Sequence, residues 1–293
     1  MRMLFKVLMI VIVGLVISSS AIASQWVKGI YLTQSTVENK RSLSSLIKKS
    51  KKYGINTFVI DVNRKSSAYR RNIVLVRENK IKYVARIVVF PHGGTSAQVL
   101  SKKYWQKKYK LVEIALQLGA QEIQLDYIRY SSSRRASSQN ARNIYEVIKW
   151  FKAKLKEKNI PLQVDVFGIT GFYDALHIGQ NLRLFADSVD AICPMVYPSH
   201  YEPYRKHAKT PYATVLSTLQ SLHAQFNDNR PFKVYPFIEL YNYRYPLSRK
   251  AKLNYIYQQI RAVEDNHANG WYAWSPTNKY NNLFRVLQMY NLK

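Results

Sequence analysis

Leu118-Gly119-Ala120-Gln121-Glu122-Ile123-Gln124-Leu125-Asp126-Tyr127-Ile128-Arg129-Tyr130 is the stretch from which the rest of the chain can be read. Gly119 ends the helical pattern of residues 104–118, and residues 122–127 then read as a short strand. Strand side chains alternate in direction, so Gln124 and Asp126 share one face while Ile123 and Leu125 share the other. The segment Leu162-Gln163-Val164-Asp165-Val166-Phe167 repeats the design, with Gln163 and Asp165 on one side and Val164 and Val166 on the other. The aliphatic face of each strand suits a covering layer of helices. The polar face suits the interior of a closed barrel.

Working outward, strand patterns fall at residues 26–32, 57–62, 83–90, 191–196, 233–238 and 270–274. Helical periodicity falls at 42–53, 140–158, 212–226, 250–267 and 281–290, and a short helix is expected within 174–185. Residues 63–80 are polar and basic, with a minor strand expected at 73–76. Alternating strands and helices predict a parallel sheet covered by helices. Eight such units in about 270 residues match a (β/α)8 TIM barrel. An open doubly wound sheet would be signalled by Gly-x-Gly-x-x-Gly after the first strand, and no such turn is present. No linker or low-complexity block interrupts residues 24–293, which are read as one domain.

Residues 1–23 read as a cleavable signal peptide. Arg2 and Lys6 precede an apolar run from Val7 to Ile17, too short for the roughly 20 residues of a membrane span, and Ala21-Ile22-Ala23 supplies the cleavage site. A secreted or periplasmic protein with no transmembrane span after cleavage is therefore expected. The single cysteine, Cys193, excludes a disulfide framework within the chain and suits an oxidising compartment. Lys and Arg number 45 against 17 Asp and Glu, a formal charge of +28. That excess favours anionic partners, either an acidic polysaccharide or the anionic envelope surface, and says nothing of fold. No nucleic-acid motif accompanies it, so no specific nucleic acid is expected.

With so few acids, their positions matter. Asp61, Asp126 and Asp165 close the second, fourth and fifth strands, and Glu239 follows the seventh. Barrel strands converge at their C-terminal ends, where catalytic side chains gather. The plain alternative for a strand-end aspartate is a helix cap or a buried ion pair. It is weakened at Asp126 and Asp165, because no helix begins after either. Two carboxyl groups at one mouth point to glycosidic-bond hydrolysis, one donating a proton to the leaving oxygen and the other acting as nucleophile or base. Asp126 and Asp165 are the expected catalytic pair. Arg86 and Arg129 are placed to hold one of them ionised. Asp126, near Arg129, is expected to be charged; Asp165, among apolar neighbours, is expected to be the donor. Strand spacing allows either the short carboxyl separation of retention or the longer one of inversion.

Tyr127, Tyr130, Tyr197, Tyr201, Tyr241, Tyr243, Trp271 and Trp274 cluster at strand ends and loops, where aromatic faces can pack on the C–H faces of sugars. Trp271 is the one that most resembles plain core. Asp61, Arg86, Tyr127, Arg129, Tyr197, His200, Glu239 and Trp274 are the expected substrate-binding residues. No metal-ligand spacing occurs, and neither metal nor cofactor is expected. Cys193, inside a strand, reads as buried packing. Asp190 precedes its strand and is expected at the opposite rim in a structural role.

Several stretches together carry a family resemblance: Lys28-Gly29-Ile30-Tyr31-Leu32-Thr33, Val59-Ile60-Asp61-Val62, Ala85-Arg86-Ile87-Val88-Val89-Phe90, the segment from Leu118 to Tyr130, Asp165-Val166-Phe167-Gly168, Ile178-Gly179-Gln180 and Cys193-Pro194-Met195-Val196-Tyr197-Pro198-Ser199-His200-Tyr201. In this order the chain resembles a bacterial glycoside hydrolase domain family, a TIM-barrel domain of unknown function. The likeness runs from about residue 28 to 280. It implies a TIM barrel and a polysaccharide substrate. The family carries a longer acidic insert where this chain has Asn63-Arg64-Lys65, often has Gln at the position of Glu239, and has Trp at that of Phe237. The expectation is a two-carboxylate glycoside hydrolase acting on an envelope or extracellular polysaccharide. The alternatives are a non-catalytic carbohydrate-binding barrel and a basic polyanion-binding envelope protein.

Overall fold

The structure is a computed structural model that describes residues 26–241, 243–266, 268–290 and 292. The expected signal peptide lies outside the described residues. The described residues form nine strands: β1 (Val27–Leu32), β2 (Thr57–Asp61), β3 (Lys82–Val88), β4 (Glu122–Asp126), β5 (Leu162–Phe167), β6 (Ala191–Met195), β7 (Lys233–Val234), β8 (Phe237–Glu239) and β9 (Gly270–Trp274). Every pairing is parallel, and β5 pairs with β6 while β1 pairs with β9, so the sheet closes on itself. The expected seventh strand is split into β7 and β8. Both halves pair with β6, and the break falls at Tyr235-Pro236, where proline has no N–H for the ladder. Counted this way there are eight staves, and the architecture is a (β/α)8 TIM barrel.

Helices fill the connections, and side-chain caps start most of them. Asn39, Ser66, Ser101 and Ser248 each accept a hydrogen bond from a first-turn N–H. Residues 63–80 depart from the expectation: the predicted minor strand at 73–76 lies within a helix, Ser67–Glu78. Tyr69, Ile73 and Val76 are its buried apolar residues, and their spacings of four and three place them on one helical face. The flanking arginines belong to its solvent side and obscured the pattern.

Burial separates the core into two parts. Ile123, Leu125, Val164 and Val166 belong to the larger cluster between strands and helices. Val59, Val84, Cys193, Tyr235 and Tyr272 belong to the smaller one inside the barrel. The barrel floor is polar. Gln124 Nε2 donates to Gln163 Oε1 at 3.0 Å, Gln163 Nε2 donates to Glu122 and to Tyr272 Oη, and Lys82 pairs with Glu122. The buried thiol of Cys193 lies against both glutamines. At the far rim Asp190 accepts from the Leu162 N–H and from Lys152.

The β1–β9 seam depends on close backbone approach. Gly270 has φ +144°, and a Cβ there would lie 2.2 Å from the Val27 carbonyl oxygen. The Gly270→Ala variant is expected to lose about 1–3 kcal/mol of stability. Urea unfolding with unchanged m-value is the measurement.

Candidate active site

The ends of β2, β3, β4 and β5 bring one arginine against three aspartates. Arg86 Nη1 donates to Asp61, and its Nη2 and Nε donate to Asp126 Oδ2, the latter at 3.0 Å. The same Nε is 3.7 Å from Asp165 Oδ2. Tyr31, at the end of β1, donates its hydroxyl to Asp61 Oδ2 at 2.6 Å, and the Arg86 guanidinium lies over its ring. Four neighbouring staves thus converge on one guanidinium. Burial alone would disfavour its charge, but the aspartates outweigh that and hold Arg86 well above its ordinary range.

The two expected catalytic acids occupy different surroundings. Asp126 receives N–H donors on both oxygens: Arg86 on Oδ2 and the Tyr127 backbone on Oδ1. Tyr127 has φ +51°, a left-handed conformation unusual for a tyrosine and one often kept at functional sites. Asp165 is 2% exposed, and its Oδ1 has no hydrogen-bond partner among the described residues. Burial, and next the charge of Asp126, push its carboxyl well above the usual range, with Arg86 pulling the other way. Asp165 is therefore disposed to hold a proton.

Both carboxyl groups wall a hollow of about 330 Å³ at the C-terminal mouth. This size suits a small ligand or one segment of a chain. Arg86, Tyr127, Arg129, Tyr197, His200 and Trp274, all expected to bind substrate, also line it. Tyr197 stacks on Trp274 with centroids 5.3 Å apart, and Tyr241 meets Trp274 edge-on at 4.5 Å. His200 completes this aromatic side; burial and the nearby Arg244 lower its affinity for a proton. Arg129 does not pair with Asp126. It lies over the rings of Tyr127 and Phe167 and donates to the Tyr130 carbonyl. Gly168 admits Tyr201 to the wall, since a Cβ there would lie 1.9 Å from the Tyr201 oxygen.

Two expected binding residues stand outside the lining. Asp61 sits behind Arg86. Glu239 is fully buried: it accepts from Ser199 N and Oγ and from Tyr255, and so braces the loop that carries His200. Tyr130, Tyr243 and Trp271 are likewise not part of the lining, and Tyr130 and Trp271 are core. The sequence reading overlooked Tyr31, Phe167, Met195 and Phe237. Tyr31 and Phe237 could have been found by strand parity, since each precedes a strand end on its inward face. Among the described residues no cluster of potential ligands could hold a metal ion.

A family model described as "Putative glycosyl hydrolase domain" matches residues 92–280. No curated protein matches the chain in sequence. Among solved structures, the spore cortex-lytic enzyme SleL of Bacillus cereus superposes with a TM-score of 0.65 at 13% identity, over 89% of this chain and 73% of that one. An endo-beta-1,4-mannanase from Thermotoga petrophila gives 0.65 at 11% identity, over 91% and 76%. A chitinase from Chromobacterium violaceum gives 0.62 at 12% identity, over 90% and 98%. At these identities the likeness is one of fold.

The brace has a pH signature. Burial raises Glu239 to about 7, with hydrogen bonds from Ser199 and Tyr255 opposing the shift. In the unfolded chain a glutamate titrates near 4.3. Because the folded value is the higher, the folded state binds the extra proton between these limits, and stability falls as pH rises through that window. Between pH 5 and pH 8 the native protein should lose on the order of 2 kcal/mol more than Glu239→Gln, read from urea midpoints.

Proposed function

Since the chain belongs to this glycosyl hydrolase domain family, we propose that it hydrolyses glycosidic bonds of an extracellular or envelope polysaccharide, with Asp165 as proton donor and Asp126 as its charged partner. The observation that carries the reading is the contrast between the two carboxyl groups across one hollow. Asp165 is buried, pushed toward the protonated form and open to the cavity. Asp126 is held by N–H donors on both oxygens. General acid catalysis needs the first state, and a nucleophile or base needs the second.

In this mechanism the sugar chain lies along the wall of Tyr197, Trp274 and Tyr241, whose faces pack on its C–H surfaces. Asp165 delivers its proton to the leaving oxygen as the glycosidic bond lengthens. Asp126 meets the positive charge that develops at the anomeric carbon. Both carboxyl groups have an oxygen within 3.7 Å of the same Arg86 nitrogen. So tight an arrangement favours the short separation, about 5 Å, of a double displacement through a sugar ester on Asp126. Asp165, once deprotonated, then draws a proton from the water that releases the ester.

The expected signal peptide at residues 1–23 supports action outside the cytoplasm, and among the described residues no helix is long and apolar enough to cross a membrane. The basic surface favours a substrate or envelope partner of negative charge.

Single Asp126→Asn and Asp165→Asn substitutions should each lower turnover by about 10²–10⁴, measured as reducing ends released from a glycan panel. Asp165→Asn should fold at least as stably as the native chain at neutral pH, because it removes a buried ionisable group. A non-catalytic carbohydrate-binding barrel would bind a glycan, release no reducing ends and be indifferent to both substitutions. Proton NMR of the first product should show retained anomeric configuration; inversion would require a water between the carboxyl groups.

A further inference from the structure

We infer that the substrate carries a carboxylate close to the bond being cleaved, and that Arg129 is the residue that receives it. The substrate class is then an acidic polysaccharide containing uronic-acid-type sugars. This inference rests on the glycosidase reading and adds the chemistry of the sugar.

The argument starts from the difference between two arginines in one hollow. Arg86 is neutralised by three aspartates. Arg129 also lines the cavity, half-buried, yet it makes no ion pair with any described carboxylate. Its one hydrogen bond among the described residues runs from Nη1 to the Tyr130 carbonyl at 2.9 Å. A guanidinium has five N–H donors, so most of the fork is unused. Tyr127 and Phe167 hold it, with ring centroids 5.2 and 5.1 Å from its central carbon. These contacts fix the arginine without supplying an acceptor.

Such a group costs free energy in the unliganded protein. Burial makes the charge of Arg129 harder to keep, and its pKa is lowered for that reason first. A neutral sugar compensates only in part, because its hydroxyls accept hydrogen bonds but bring no countercharge. A carboxylate does more: it is planar, matches the guanidinium fork in two parallel hydrogen bonds and brings the missing charge. The surroundings agree. The acids of the hollow, Asp126 and Asp165, are both gathered around Arg86. On the rim, Arg244 donates to the Ser199 carbonyl and lies over the Tyr204 ring, again without an ion pair to a described carboxylate. Arg129 follows Asp126 by three residues, and the charge of that carboxylate acts on it. The acid-sugar subsite is therefore adjacent to the reacting centre.

The test is calorimetric binding of matched oligosaccharides to the full chain bearing Asp165→Asn, at 0.15 M salt. The pairs are trigalacturonate against galactotriose and a glucuronic-acid trimer against cellotriose, with a sulfated carrageenan oligosaccharide as a further arm. At least one acidic member should bind about tenfold more tightly than its neutral partner, as a charged hydrogen-bonded pair implies. Adding Arg129→Gln should bring that ratio close to one. Arg129→Lys should restore only part of it, because a point charge lacks the fork. Equal binding of acid and neutral members, or a preference that Arg129→Gln does not move, overturns the inference. Preference for the sulfated arm alone assigns a sulfate ester and overturns the carboxylate. Release of reducing ends from neutral polymers by the native chain, without acid preference, overturns the inference and leaves the glycosidase reading standing. Absence of both binding and release across these sugars and the glycan panel removes the two together.

Discussion

A single guanidinium, that of Arg86, makes the upper half of this barrel possible. Three aspartates projecting from neighbouring strands into a largely dry interior would repel one another, and each would be costly to desolvate. Arg86 answers them together: it ion-pairs with Asp61, Asp126 and Asp165 and rests on the ring of Tyr31. One positive charge among three carboxyl groups leaves negative charge in excess. The excess falls on the most deeply buried member, Asp165, as a tendency to stay protonated. The state of the candidate acid is thus set by the geometry of the strands around it.

Lower in the barrel the polar lining continues, with Glu122 paired to Lys82. Gln124, Gln163, Glu122 and Tyr272 form a hydrogen-bonded floor in a place usually filled by branched aliphatic side chains. On the other side of the mouth, Glu239 organises the loop of Ser199 and His200 from a fully buried position.

Much of this was legible in the sequence because it follows from local periodicity. Alternation in β4 and β5 was enough to place Gln124, Asp126, Gln163 and Asp165 inside and Ile123, Leu125, Val164 and Val166 outside. Strand–helix alternation was enough to suggest the barrel. The failures have local causes too. The helix Ser67–Glu78 hides its three buried apolar residues among arginines, and the split of the seventh stave turns on one proline. What periodicity could not reach were the contacts between distant strands. The link from Tyr31 to Asp61 spans 30 residues, and the brace from Glu239 to Ser199 spans 40. Glu239 shows the limit well: its position at a strand end suggested a ligand-binding carboxyl, while its partners, supplied by a helix and another loop, enclose it completely. Arg129 shows a different limit: its place after Asp126 suggested an arginine acting on that carboxylate by charge, which it does, but its direct contacts are the rings of Tyr127 and Phe167 rather than an ion pair.

The chain's lone thiol also has an experimental use. Cys193 lies within the barrel, its Sγ 3.4 Å from the Gln124 amide nitrogen and 3.3 Å from the Gln163 amide oxygen, and burial pushes its thiol well above the ordinary range. In that state it is a poor nucleophile and out of reach of reagents. Alkylation must wait for the staves to part, so the rate of covalent labelling counts how often the barrel breathes. Because the sequence holds a single cysteine, one mass shift would time the opening of the chamber beneath the acids, with no engineered probe.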